Sequence, residues 1–172
     1  FIPPGPQLQP YVQDALDEIE YATGDKNTKW GAARAKDGHP NPFHIEYIEI
    51  SNEDGGHEYE GRFAHFYDAI KTKYPSLKII ATSEVHTRTP DQVDEHFYRS
   101  AKAMEADAHH YDTYSRTGPK IFVGECATRE GNPTPNMGAA LGDAAWMTGL
   151  ERPPALIIQA SSAPLLVPVP PT

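Results

Sequence analysis

The amino-acid sequence predicts an α/β fold built from parallel β/α units. Three observations carry that prediction. Segments with strand character alternate along the chain with segments of helical period, in the order α-β-α-β-β-α-β-α-β. One of the strand segments, Leu77-Lys78-Ile79-Ile80-Ala81-Thr82, is a short apolar run of the kind that parallel sheets bury on both faces. Two glutamates, Glu53 and Glu125, stand at the ends of strand-like runs and are followed by loop-forming residues. The carboxyl ends of parallel strands are where such folds gather their working side chains.

Taken in order, Leu8, Val12, Leu16 and Ile19 recur at helical spacing, which predicts a helix over about 10–22 with Gly24 as its stop. The stretch 25–42 reads as a long loop holding Trp30 and a Gly38-His39-Pro40 turn signal. Alternation then predicts a strand over 45–50. Phe63, Phe66, Tyr67 and Ile70 share one face of a helix over 58–74, which Pro75 closes. After the strand at 77–82 and the break at Thr89-Pro90-Asp91, residues 93–98 form a weaker strand candidate. A helix over 100–114, a strand over 121–127, an Ala-rich helix over 137–150 and an apolar strand over 155–160 complete the series.

Charge and composition exclude several classes of function. The chain carries 24 acidic against 15 basic residues, a formal charge of −9, with no Lys/Arg-rich run, so neither a nucleic-acid partner nor an anionic membrane surface is expected. No apolar stretch approaches the roughly 20 residues that span a bilayer, and Phe1-Ile2-Pro3-Pro4-Gly5 lacks the basic region of a signal peptide, as an excised or mature piece also would. The lone cysteine, Cys126, rules out an intrachain disulfide and leaves the redox compartment open. The 17 prolines concentrate at the ends, 1–7 and 164–172, and the second of these stretches is expected to be extended and peripheral.

Two carboxylates at the exits of different strands are the minimum equipment for hydrolysing a glycosidic bond. Other readings of single residues are plainer. His109-His110, with His57, His65 and His86, lacks the spacing of a metal site and reads as a solvated helix face. Cys126 has no histidine near it in sequence and reads as a buried thiol rather than a nucleophile. Met137, Trp146, Met147 and Leu150 read as helix-to-sheet packing, and Trp30 as either a loop anchor or a platform for a sugar ring.

Four segments carry more than these general signals: Ile48-Glu49-Ile50-Ser51-Asn52-Glu53-Asp54, Asp94-Glu95-His96-Phe97-Tyr98, 118–125 and 139–152. With them the chain resembles the family 51 glycoside hydrolases, the α-L-arabinofuranosidases, over nearly its whole length. The resemblance implies a partial, half TIM barrel of the clan A type, running from the third helix to the eighth strand and forming one domain over 1–172. The length of 172 residues agrees, since a complete (β/α)8 barrel takes ~250.

The resemblance also implies roles. Glu53 matches the general acid/base and Glu125 the nucleophile; Asn52 matches a residue that binds the sugar hydroxyl beside the anomeric carbon, and His96 and Tyr98 match residues lining the sugar subsite. It implies no metal or organic cofactor. The implied partner is an arabinose-containing oligo- or polysaccharide, and the implied location is secreted or periplasmic. Ser51 stands where the family has glycine, and Cys126 where an aromatic residue commonly follows the nucleophile. Two alternatives share the same residues: another clan A glycosidase, such as an endo-glucanase or xylanase, and a half-barrel that binds sugar weakly or serves as a scaffold. Open strand edges are expected to favour a homodimer or a complementing half-barrel.

Overall fold

The strands and helices form because apolar residues return at the right period, and the ends of most elements are fixed by identifiable caps. The computed structural model describes residues 2–131 and 136–163; the proline-rich stretch at 164–172 lies outside them, as does Phe1. The chain divides into two compact units, Phe1–Asp91 and Gln92–Thr172.

In the first unit a short 3-10 turn, Pro6–Leu8, leads into α1 (Gln9–Thr23), and Gly24 ends it by returning its N–H to the Glu20 carbonyl. The expected loop at 25–42 contains a helix instead, α2 (Lys29–Lys36). Its N-cap is Thr28, whose hydroxyl accepts from the Gly31 amide at 3.1 Å. Gly31 is required there, since a Cβ would lie 2.0 Å from the Asp25 carbonyl oxygen. The decisive contact is long-range. Arg34 is fully buried, and its guanidinium donates to the carbonyls of Tyr21 (2.6 Å), Gly24 (2.8 Å) and His39 (3.0 Å), with Ala22 and Pro40 at 3.3 Å. A cation thus closes the carbonyl end of α1, where the helix dipole is negative.

Strand β1 (Tyr47–Ile50) follows, then α3 (Gly56–Lys73) and β2 (Lys78–Ala81), which pairs in parallel with β1 from Tyr47↔Lys78 to Ile50↔Ala81. The α3 face bearing Tyr59, Phe63 and Ile70 packs on Ile50, Ile79 and Ala81, and Ile19 of α1 joins this core. Ile79 and Ala81 are fully buried, as the apolar run predicted.

In the second unit β3 (Gln92–Arg99), β4 (Lys120–Thr128) and β5 (Ile157–Ser162) pair in parallel, in chain order. The weak strand candidate at 93–98 is a full eight-residue strand. The helix expected over 100–114 is shorter: α4 covers Ala101–Ala106, and single turns continue from there. Asp107 and Asp112 explain the stop. Asp107 pairs with Arg99 and with His110 Nδ1 at 3.0 Å, and Asp112 with Arg152 and with His109 Nδ1 at 2.8 Å, while the backbone makes successive three-residue turns such as His110 N–H to Asp107. His109 is exposed, as expected, but His110 is half-buried against the rings of Phe97, Tyr111, Tyr114 and Trp146.

Helix α5 (Met137–Glu151) starts at Asn136, whose side chain accepts from the Ala139 amide at 3.0 Å. Trp146 and Leu150 bury with Phe97, Met104, Tyr111, Val123 and Cys126 in the second core. β5 begins two residues later than expected because Leu156 and Ile157 both donate to the Pro153 carbonyl, forming a turn.

Candidate active site

In the first unit Asn52 and Glu53 stand together, exposed, on the loop that leaves β1. The loop is bent by two left-handed residues, Ser51 (φ 79°) and Glu53 (φ 49°), a conformation costing a non-glycine residue roughly 1–2 kcal/mol. Neighbouring contacts hold it. Arg62 of α3 grips the Asp54 carboxylate at 2.7 Å, with both side chains largely buried, and the other Asp54 oxygen accepts from the Gly55 amide at 2.9 Å. Beneath the loop the buried Tyr59 hydroxyl donates to the Ile50 carbonyl (3.1 Å) and accepts from the Thr82 amide (2.9 Å), tying the carboxyl ends of β1 and β2 together. Burial pushes the Tyr59 hydroxyl pKa up, so it keeps its proton and remains a donor. A cavity of about 490 Å³ adjoins β1, lined by Leu8, Ile48, Ile50, Phe66 and Ile70 together with the Asp54–Arg62 pair; its walls suit carbon rather than a hydroxyl-rich ring.

In the second unit the period of two along β3 places Asp94, His96 and Tyr98 on one face and Val93, Glu95 and Phe97 on the other. Phe97 and Val93 join the core, and Glu95 accepts the Tyr111 hydroxyl at 2.7 Å. The first face meets Glu125. The β3–β4 register runs Asp94↔Phe122 and then His96↔Glu125, so β4 carries one extra residue at Val123–Gly124. Such a bulge re-aims the side chain after it. Tyr98 donates its hydroxyl to Glu125 Oε2, and His96 Nδ1 lies 3.8 Å from the same oxygen. Arg129 covers the Tyr98 ring with its guanidinium 4.5 Å from the centroid. The other imidazole nitrogen, His96 Nε2, is 2.8 Å from Asp94 Oδ2.

The sequence-predicted residues therefore fall into two groups, Asn52 and Glu53 in the first unit, and His96, Tyr98 and Glu125 in the second. Reasoning from sequence gave no role to Asp94 or Arg129. Asp94 had a signal available: it lies two residues before His96, hence on the same strand face. Cys126 is the buried thiol that the sequence predicted. Adjacent strand residues point to opposite faces, so its side chain is buried in the core, 3.4 Å from the Ser161 carbonyl, and forms no wall beside Glu125. Burial raises its thiol pKa, consistent with an inert packing residue. Among the described residues no helix is long and apolar enough to cross a membrane.

Comparisons with known proteins identify the family. The family model described as the α-L-arabinofuranosidase 1 domain matches residues 2–116. α-L-Arabinofuranosidases 2 and 1 of Arabidopsis thaliana are 40% and 43% identical to this chain over 166 residues, covering 93% of it and 25% and 24% of themselves. The extracellular exo-α-L-arabinofuranosidase of Streptomyces chartreusis is 38% identical over 174 residues, covering 92% of this chain and 21% of its own. Among solved structures, an arabinose-bound MgGH51 α-L-arabinofuranosidase matches with a TM-score of 0.84 at 34% identity, over 92% of this chain and 28% of the other. An arabinose complex of the Thermotoga maritima enzyme matches with a TM-score of 0.73 at 20% identity, over 90% and 41%, a likeness of fold. The chain spans about a quarter of the length of the curated relatives it matches. Its parallel β/α units are those of a partial (β/α) barrel, and the chain belongs to glycoside hydrolase family 51, the α-L-arabinofuranosidases.

Proposed function

We propose that this chain carries the two catalytic carboxylates of a retaining glycosidase that releases terminal α-L-arabinofuranosyl residues from arabinose-containing polysaccharides. The observation that carries the reading is the set of contacts on Glu125. Tyr98 and His96 both address Oε2, which leaves Oε1 as the atom we assign to attack. Membership of the arabinofuranosidase family supports the substrate class, and the names of its relatives, one of them extracellular, support a secreted setting.

In the first step Glu125 Oε1 forms a bond to the anomeric carbon while the glycosidic C–O bond breaks, and the proton of Glu53 passes to the departing oxygen. In the second step Glu53, now ionised, takes a proton from water as the water oxygen bonds to the anomeric carbon and the Glu125 ester bond breaks. Two inversions leave the configuration unchanged. The Tyr98 hydroxyl holds the nucleophile in one rotamer, and Asn52, next to Glu53 on its loop, is assigned to the hydroxyl beside the reacting carbon. A retaining pair works with its carboxyl groups ~5–5.5 Å apart.

Nitrophenol release from an aryl α-L-arabinofuranoside tests the reading. We expect turnover by the wild-type chain and its loss, by at least ~10³-fold, in Glu125→Ala. Glu53→Ala should retain much more activity on this activated leaving group than on an alkyl arabinoside, which needs the proton. Equal rates in all three proteins would overturn the assignment.

A further inference from the structure

Asp94 is a charged group the mechanism above does not use, and it is 4% exposed. Its two carboxylate oxygens serve different parts of the site. Oδ2 lies 2.8 Å from His96 Nε2, and Oδ1 accepts the backbone N–H of Gly124 at 2.7 Å. Gly124 is the bulge residue immediately before Glu125, and its lack of a side chain makes room for the carboxylate, because a Cβ there would lie 2.4 Å from Asp94 Oδ1 and push it away. One buried carboxylate is therefore bonded both to the imidazole facing the nucleophile and to the backbone that presents it.

From this geometry we infer that Asp94 is the positioning residue of the site: it fixes the His96 ring with the proton on Nε2 and Nδ1 turned to Glu125, and it holds the bulge that aims Glu125. The inference rests on the reading of Glu125 as nucleophile for its kinetic consequence only. An ionised carboxylate accepts and cannot donate, so the nitrogen facing it carries the hydrogen in either charge state of the ring. Nδ1 is then the nitrogen that faces Glu125 Oε2, at 3.8 Å. An asparagine at 94 cannot reproduce this. Its oxygen can serve the Gly124 amide or the imidazole N–H, and its NH2 group then faces a donor, so either the imidazole exchanges tautomer or the bulge amide loses its acceptor.

The test is the 15N spectrum of the His96 ring in the intact chain at neutral pH, in wild type, Asp94→Asn and Glu95→Gln. Glu95 lies on the opposite strand face and serves as the control. We expect a protonated Nε2 in wild type and in Glu95→Gln. In Asp94→Asn we expect either the opposite tautomer or fast exchange of the Gly124 amide with solvent. A wild-type ring bearing its proton on Nδ1 alone would overturn the inference whether or not the variant folds. So would a folded Asp94→Asn with the wild-type tautomer and a protected Gly124 amide. Kinetics give the second readout: kcat about 100-fold lower in Asp94→Asn, with KM within about threefold, and both unchanged in Glu95→Gln. If the wild-type chain has no turnover, the functional reading fails while the ring spectrum still decides the role of Asp94.

Discussion

Ser51 shows how one backbone angle prepares the acid/base loop. At φ 79° it occupies the region where glycine is unstrained, so what this position asks of its residue is conformational. The side chain itself makes only a long contact, 3.5 Å to Asp54 Oδ2. Ser51→Gly should therefore stabilise the chain by up to about 1 kcal/mol, the relief of strain exceeding the added freedom of the unfolded chain. Urea unfolding measures it. A variant less stable than wild type would mean that the serine side chain contributes more than its geometry indicates. The place of Glu53 just beyond a strand was legible in the sequence from its motif, whereas Glu125 lies inside β4, paired with His96, with three strand residues beyond it rather than the loop expected. The left-handed turn at Ser51 and Glu53 was not legible, because neither residue type signals a positive φ.

At the scale of elements, α2 is the part of the first unit most dependent on a single group. Its eight residues are too few to be stable alone, and the buried Arg34 guanidinium supplies the link to the end of α1 and to the chain at His39 and Pro40. Arg34→Met keeps volume and removes these bonds, leaving carbonyls without partners, and should cost about 3 kcal/mol. Chemical denaturation checks this, and a loss below about 1 kcal/mol would contradict it.

The same contact explains why sequence reading missed the helix: its stability comes from a residue bonding back across ten to thirteen positions, and Gly31 looks like a breaker until its approach to Asp25 is seen. The apolar faces of α1 and α3, and the strands β2 and β4, were legible because their patterns record burial directly; on α5 Trp146 and Leu150 pack as expected, but Met137 and Met147 are exposed. The extent of β3 was not legible, since its outward face carries polar site residues. Nor was the early stop of α4, which depends on Asp107 and Asp112 finding side-chain partners.

At the scale of the whole molecule, two buried phenols contribute to the response to alkali. Burial raises the pKa of Tyr59 in the first unit; in the second, burial together with the Glu95 carboxylate raises that of Tyr111. A raised folded-state pKa leaves stability intact below the unfolded value of about 10 and removes it as pH climbs above that value, because the unfolded chain then loses protons that the folded chain keeps. Each such group steepens the loss by about 1.4 kcal/mol per pH unit. Tyr111→Phe should flatten the fall in stability between pH 10 and 11 by roughly that amount. An identical slope in the variant would show that Tyr111 ionises alike in both states.

The most direct measurement for the account as a whole is covalent trapping with an activated 2-fluoro-substituted arabinofuranoside, whose glycosyl-enzyme intermediate forms faster than it hydrolyses. Mass spectrometry of the intact chain should show one added sugar, and peptide mapping should place it on Glu125; no adduct, or one on any other residue, would contradict the assignment of Glu125 as the nucleophile.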